Sequence, residues 1–192
     1  MERLAIFIDG EYFTKLKDHL LGERKKIDYG KLAQKILEHV DEATKLPVEL
    51  LKVHYYDCLP YQDNPPTTEQ RKKVSNKDKF LDALRRKPRF TVRLGKLRKR
   101  IGKKKNAPRF EQKGVDLLLG LDLVLLSLKQ RITHAAIITG DSDLVPAVEI
   151  ASREGIIVWL LYSPKSAAHD LLSAADERIE LSQSFLTNVN ES

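Results

Sequence analysis

Three stretches of the chain, LAIFID (4–9), HAAIITG (134–140) and IIVWLLY (156–162), are apolar almost without interruption. A strand with one face in water alternates apolar and polar residues, so a continuous apolar strand is covered on both faces. Segments of helical spacing separate these strands. YGKLAQKILEHVDEA (29–43) sets Leu32, Ala33, Ile36, Leu37 and Val40 on one face, with Asp28 as N-cap. SDLVPAVEIASREG (142–155) reads as a helix ended by Gly155, and SAAHDLLSAADE (166–177) as another. VELLKVHYYDCL (48–59) predicts a further strand, 67–87 a polar helix, and RIELS (178–182) a short last strand. KGVDLLLGLDLVLLSLKQR (113–131) is apolar on nearly every side, which predicts a fully buried helix. Strands alternating with helices define an α/β fold with a mainly parallel sheet sandwiched between helical layers. A length of 192 residues suits a single domain spanning 1–192.

The net charge of +7 conceals a segregation. Arg85–Lys113 holds 14 Lys/Arg against one acid, Glu111, leaving the rest of the chain at −6. Within this window RFTVRLG and KLRKRIG mix basic and apolar residues near period two. We read them as a basic hairpin or strand pair inserted at about 85–112, with a mobile lysine tip. Lysine and arginine at this density suit a polyanion, since they release condensed counterions from phosphates. Arg93, Lys96, Arg98, Lys99, Arg100, Lys103, Lys104, Lys105, Arg109 and Lys113 are therefore candidate nucleic-acid contacts, with Phe90, Phe110 and Tyr61 as stacking partners for bases. The short apolar core of MERLAIFIDGEYF does not make a signal peptide, and no segment has the apolar length of a membrane helix. A lone cysteine, Cys58, excludes an internal disulfide and Cys-rich zinc sites; the expectation is a reducing, cytoplasmic setting.

Parallel α/β sheets bind ligands beyond the carboxyl ends of their strands. Asp9 ends the first strand, Asp141 and Asp143 follow HAAIITG, and Asp116 lies in the first turn of the apolar helix. Any one of them has a plain reading as helix cap, dipole partner or turn residue. Together they propose a carboxylate cluster, whose mutual repulsion is relieved by protons or cations. Hard divalent cations take oxygen ligands, and a pair of them serves phosphodiester cleavage. Asp122, six positions beyond Asp116, lies about 9 Å along the helix and about 120° around it, outside a shared site. Thr139 and Ser142 flank the acidic pair as supporting hydroxyls, Ser142 also being a good N-cap. Glu11 and Lys113 stand beside the cluster, as supplementary oxygen donor and phosphate contact or as solvated side chains, and Lys165 and Ser166 open the helix after IIVWLLY. No Ser-His-Asp arrangement, P-loop or GxGxxG is present.

FIDGEY, KGVDLLLGLDLVLL, IITGDSDLVPAVEIASREGIIVWLL and the closing SPKSAAHDLLSAADERIEL, in that order, resemble the NYN domain family of the LabA-like kind. That resemblance implies the three-layer α/β/α fold of PIN-like nucleases. It also implies metal-binding, catalytic acids at Asp9, Asp116, Asp141 and Asp143, Mg²⁺ or Mn²⁺ as cofactor, and RNA ahead of DNA as substrate. The family motif carries Asn three positions after its first Asp; Tyr12 stands there in this chain. A phenol is longer than an amide and aims differently, so a nucleic-acid-binding regulator with weak or absent cleavage is the alternative to a metal-dependent ribonuclease. A phosphatase-like hydrolase ranks below both, because Gly10 and Glu11 follow Asp9 where a DxD motif would need a second Asp. The apolar C-terminal helices leave a homodimer open.

Overall fold

The structure, a computed structural model, describes residues 1–101 and 108–189, with 98–101 and 108–112 described by backbone alone. Six parallel strands form the body of the sheet: β1 (Glu2–Asp9), β2 (Val48–Cys58), β3 (Phe90–Ile101), β5 (His134–Ile138), β6 (Ile157–Tyr162) and β7 (Glu177–Glu180). β4 (Pro108–Lys113) is added antiparallel to the far half of β3. The order is β4-β3-β2-β1-β5-β6-β7, so the parallel strands are wound 3-2-1-4-5-6 and the winding reverses between β1 and β5.

Alternate residues of each strand feed two separate cores. Leu4, Ile6 and Ile8 of β1 point into one, with Val53, Tyr55, Ile138 and Leu161. Here the sheet is covered by α1 (Gly10–Leu21), α2 (Tyr29–Thr44), α3 (Thr68–Arg86) and α7 (Gln183–Thr187), through Phe13, Leu32, Ile36, Leu81 and Leu186. Ala5 and Phe7 point into the other, where α4 (Val115–Leu128), α5 (Val145–Arg153) and α6 (His169–Ala174) bring Leu119, Leu123, Val148 and Leu171. The result is the expected α/β/α sandwich. Helix α2 starts at its expected cap, Asp28 Oδ1 accepting from the amide of Gly30 at 2.8 Å and of Lys31 at 3.4 Å.

Three expectations are corrected. The described residues of RFTVRLG and KLRKRIG, from Phe90 to Ile101, do not form two paired strands: they lie together in β3, whose first part, Phe90–Gly95, pairs with β2 and is integral to the sheet. Gly95 lies inside this strand because a Cβ there would come within 2.7 Å of the Lys113 carbonyl and 2.8 Å of Val115. The glycine serves a close crossing rather than a turn. The expected lysine tip, 102–107, lies outside the described residues. Helix α4 is buried on one side only. Val115, Leu119 and Leu123 pack on the sheet, whereas Leu117, Leu121, Leu125 and Leu128 face outward, 48–65% exposed. The expected 166–177 helix is shorter, its first residues forming a turn before α6 at His169.

Candidate active site

β1 and β5 run side by side in register from Leu4–His134 to Ile8–Ile138. Asp9 and the Thr139-Gly140-Asp141 link therefore leave the sheet together at the point where its winding reverses. The N-terminus of α4 carries Asp116 to the same place. Asp9, Glu11, Tyr12, Lys15, Asp116, Gly140, Asp141 and Ser142 line one cleft of about 450 Å³, closed on its far side by Ser166 and Ala168.

Each acid is held by local geometry. Asp9 is the N-cap of α1: its Oδ1 accepts from the amides of Glu11 and Tyr12, both at 3.0 Å. The plain reading of this residue and its place in the cleft are thus both realised. Burial pushes the Asp9 carboxyl up to about 6; the Tyr12 amide opposes this, and the charge of Asp116 adds to it. Asp116 is also raised, first by burial and then by the charges of Asp141, Asp143 and Glu11. Asp141 caps the 3-10 turn Ser142–Leu144, accepting from the Asp143 amide at 2.9 Å. Its own amide donates to Thr139 Oγ1 at 3.3 Å, so the fully buried threonine supports it from below. Ser142, expected as an N-cap, is instead the first residue of that turn, and it lines the cleft. Asp143 turns out of the cleft into the adjoining groove between α4 and α5, shared with Lys113 and Asp116.

Asp57, at the end of β2, offers an instructive contrast. Its carboxylate accepts from Tyr55 Oη at 3.0 Å and from the Cys58 amide at 2.7 Å, and it pairs with Lys77. Asp122 is neutralised likewise, by Tyr56 Oη at 2.8 Å and by Arg93, in agreement with a structural role. Among the described residues, no cation pairs with Asp9, Asp116 or Asp141. An all-carboxylate, oxygen-only donor set that raises its own protonation suits a hard, largely hydrated cation such as Mg²⁺. Among the described residues no three such side chains already converge on one ion position, so the fit rests on donor chemistry and on shared lining of the cleft.

Two residues of the cleft were poorly signalled by the sequence. Glu11 reaches it and pairs with Lys15, one helical turn on. Lys15 is signalled in the sequence only by its i, i+4 relation to Glu11. Tyr12 does not imitate the family's amide. Its oxygen accepts from the Ser163 amide and from Ser166 Oγ, each at 3.2 Å, tying α1 to the turn after β6. The ring lies over Gly140, where a Cβ would meet Tyr12 Cε2 at 2.5 Å and the Ser166 carbonyl at 2.6 Å. Of the basic candidates, Arg93 is engaged by Asp122, and Lys96 and Lys113 are exposed. Arg98, Lys99, Arg100, Lys103, Lys104, Lys105 and Arg109 lie outside the described side chains.

A six-stranded parallel sheet between two helical layers, with carboxylates gathered over its winding reversal, has the architecture of a PIN-like domain. The NYN domain family matches residues 3–182, and the chain belongs to that family, a member of the PIN-like nuclease superfamily. A crystal structure of a protein of unknown function from Vibrio parahaemolyticus RIMD 2210633 superposes with a TM-score of 0.61 at 20% identity, covering 96% of each chain, and shares the fold. No curated protein matches in sequence. Among the described residues, no helix is long and apolar enough to cross a membrane.

Proposed function

We propose that the protein is a metal-dependent ribonuclease whose cleft cuts a phosphodiester bond. The observation that carries this reading is the gathering of Asp9, Asp116 and Asp141, without a cationic partner among the described residues, in one cleft at the switch point of an NYN-family sheet. Asp9, Asp116 and Asp141 would hold Mg²⁺ or Mn²⁺, with Asp143 bearing on the ion by charge. When bound, the ion supplies charge neutralisation at the scissile phosphate and acidifies water. The chain does the positioning. Asp9 and Asp141 are fixed by the turns they cap, and Thr139 anchors Asp141 from beneath. Charge stabilisation by a prearranged site, without a covalent nucleophile, is the main source of rate.

The basic β3–β4 segment supports RNA as the partner. An acidic cleft repels a polyanion, and a +13 segment ending at Lys113, three residues before Asp116, offsets that repulsion. Cleavage of labelled single-stranded RNA with Mg²⁺ or Mn²⁺ is the test. Asp116→Asn with Asp141→Asn is expected to lower the rate by about 10²–10³, the scale of losing a prearranged charge-stabilising group. Full activity in that variant removes the reading. Tyr12 favours a second reading, a regulator that binds RNA without cutting it, because a phenol whose oxygen accepts from Ser163 and Ser166 stands where the family motif has an amide. That reading expects salt-sensitive binding that survives chelation, and no product with either ion.

A further inference from the structure

A second hollow, of about 290 Å³, adjoins the acid cleft. Lys15 and His19 of α1 line it on one side, and Ser163, Lys165 and Ser166 of the turn after β6 on the other. Tyr12, Lys15 and Ser166 belong to both cavities, so the two are continuous around the tyrosine ring. The ionisable groups around them differ in sign, and the wall of the second is otherwise mostly apolar. The first presents Asp9, Glu11, Asp116 and Asp141; the lining of the second contains two lysines and a histidine and no acid. Lys15 is shared with Glu11, but among the described residues Lys165 and His19 have no acidic partner.

Resting on the reading of the acid cleft as a phosphodiester-cleaving centre, we propose that this hollow is a phosphate subsite, gripping the nucleic-acid strand to one side of the bond that is cut. Lysine binds phosphate as a point charge, and serine hydroxyls add donors of the right reach. Position along the sheet gives the subsite its purpose. The basic β3–β4 segment is at one edge, the acids stand over β1 and β5, and the hollow lies beyond them, toward β6. A strand crossing this edge meets positive, negative and again positive surface, so it is held on both flanks of the acidic centre. Tyr12 builds the arrangement: its oxygen takes the Ser163 amide and Ser166 Oγ, which fixes the turn that carries Lys165. The residue that departs from the family's motif is the wall between the two cavities.

The test is a binding measurement in chelator, where cleavage does not interfere. Fluorescence anisotropy compares the intact chain with the His19→Ala, Lys165→Ala double variant on short single-stranded RNAs bearing a 5′-phosphate, a 3′-phosphate or neither. Both side chains are exposed, so the variant keeps its fold, which circular dichroism checks. Affinity at low salt is expected to fall about five- to tenfold. The slope of log affinity against log salt is expected to shrink by about 0.7, the loss of one single-strand phosphate contact. A loss confined to one phosphorylated oligonucleotide assigns the subsite to a strand terminus, and an equal loss on all three to an internal phosphate. Unchanged affinity and slope on all three overturn the proposal. Absence of product from the intact chain with Mg²⁺ or Mn²⁺ overturns the ribonuclease reading instead, whatever the slopes show.

Discussion

Asp9 commits one oxygen to two amides and still sits among other acids, and its titration carries the cost. A carboxyl raised from 3.8 to about 6 is stabilised in its protonated form by about 3 kcal/mol relative to the unfolded chain. The stability this gives is fully present below about 3.8 and is lost as pH rises through about 6. Urea unfolding of the metal-free protein between pH 4 and 7 is therefore expected to show a falling contribution that Asp9→Asn removes, since the amide keeps the capping oxygen but not the charge. A slope identical in the two proteins would refute the assignment. Because bound cations need the ionised carboxylate, metal affinity is expected to climb over the same interval and level off above it. Tyr12 shows where residue-level reading stops. Its difference from an amide was visible in the sequence, but its partners, Ser163 and Ser166, are about 150 positions away, and only folding brings them near.

At the scale of elements, helix α4 separates pattern from environment. A leucine-rich run carries no mark of which face meets the sheet when all faces are apolar, so the sequence predicts burial and the structure divides the helix in two. Leu119→Ala is expected to cost about 2–5 kcal/mol, the price of a core cavity. Leu121→Ala, on the outward face, is expected to stay within about 0.5 kcal/mol in the same denaturation experiment. Equal losses would contradict the division. β1, β5 and β6 are the most legible elements, because two-sided burial leaves an uninterrupted apolar run; β2, expected at 48–59 from its β-branched and aromatic residues, spans Val48–Cys58. Helix α1 was missed although Phe13 and Leu16 mark its inner face, because its first residues double as strand-end chemistry: Asp9 closes β1 and caps α1 at once. In β3, nothing in the sequence marks Gly95 as the point of close approach that it is. Neither distinction exists until a neighbouring strand or helix is in place.

At the scale of the molecule, the proposed metal centre makes stability depend on a ligand. A ligand that binds only the folded state stabilises it by about 2.7 kcal/mol at a hundred times its dissociation constant. For a chain of this length that is expected to raise the melting temperature by roughly 5–10 °C. Differential scanning fluorimetry with Mg²⁺ or Mn²⁺ should show this rise, a chelator should reverse it, and the Asp116→Asn, Asp141→Asn chain should lack it. A shift of the same size in that variant would mean the ions bind elsewhere. The gathering of Asp9, Asp116 and Asp141 was foreseen from strand ends and helix starts, since topology alone sends them to one edge of the sheet. The pairing of Arg93 with Asp122 was not, because residue spacing carries no information on which basic side chain will find a buried acid.

The reversal of winding between β1 and β5 also bears on folding. These strands are neighbours at the centre of the sheet, yet paired residues such as Leu4 and His134 stand 130 positions apart in sequence. Pairings of such long range form slowly, because a long loop must close before they are rewarded. The cleft that gathers Asp9, Asp116 and Asp141 is therefore complete only once its most distant pairing has formed.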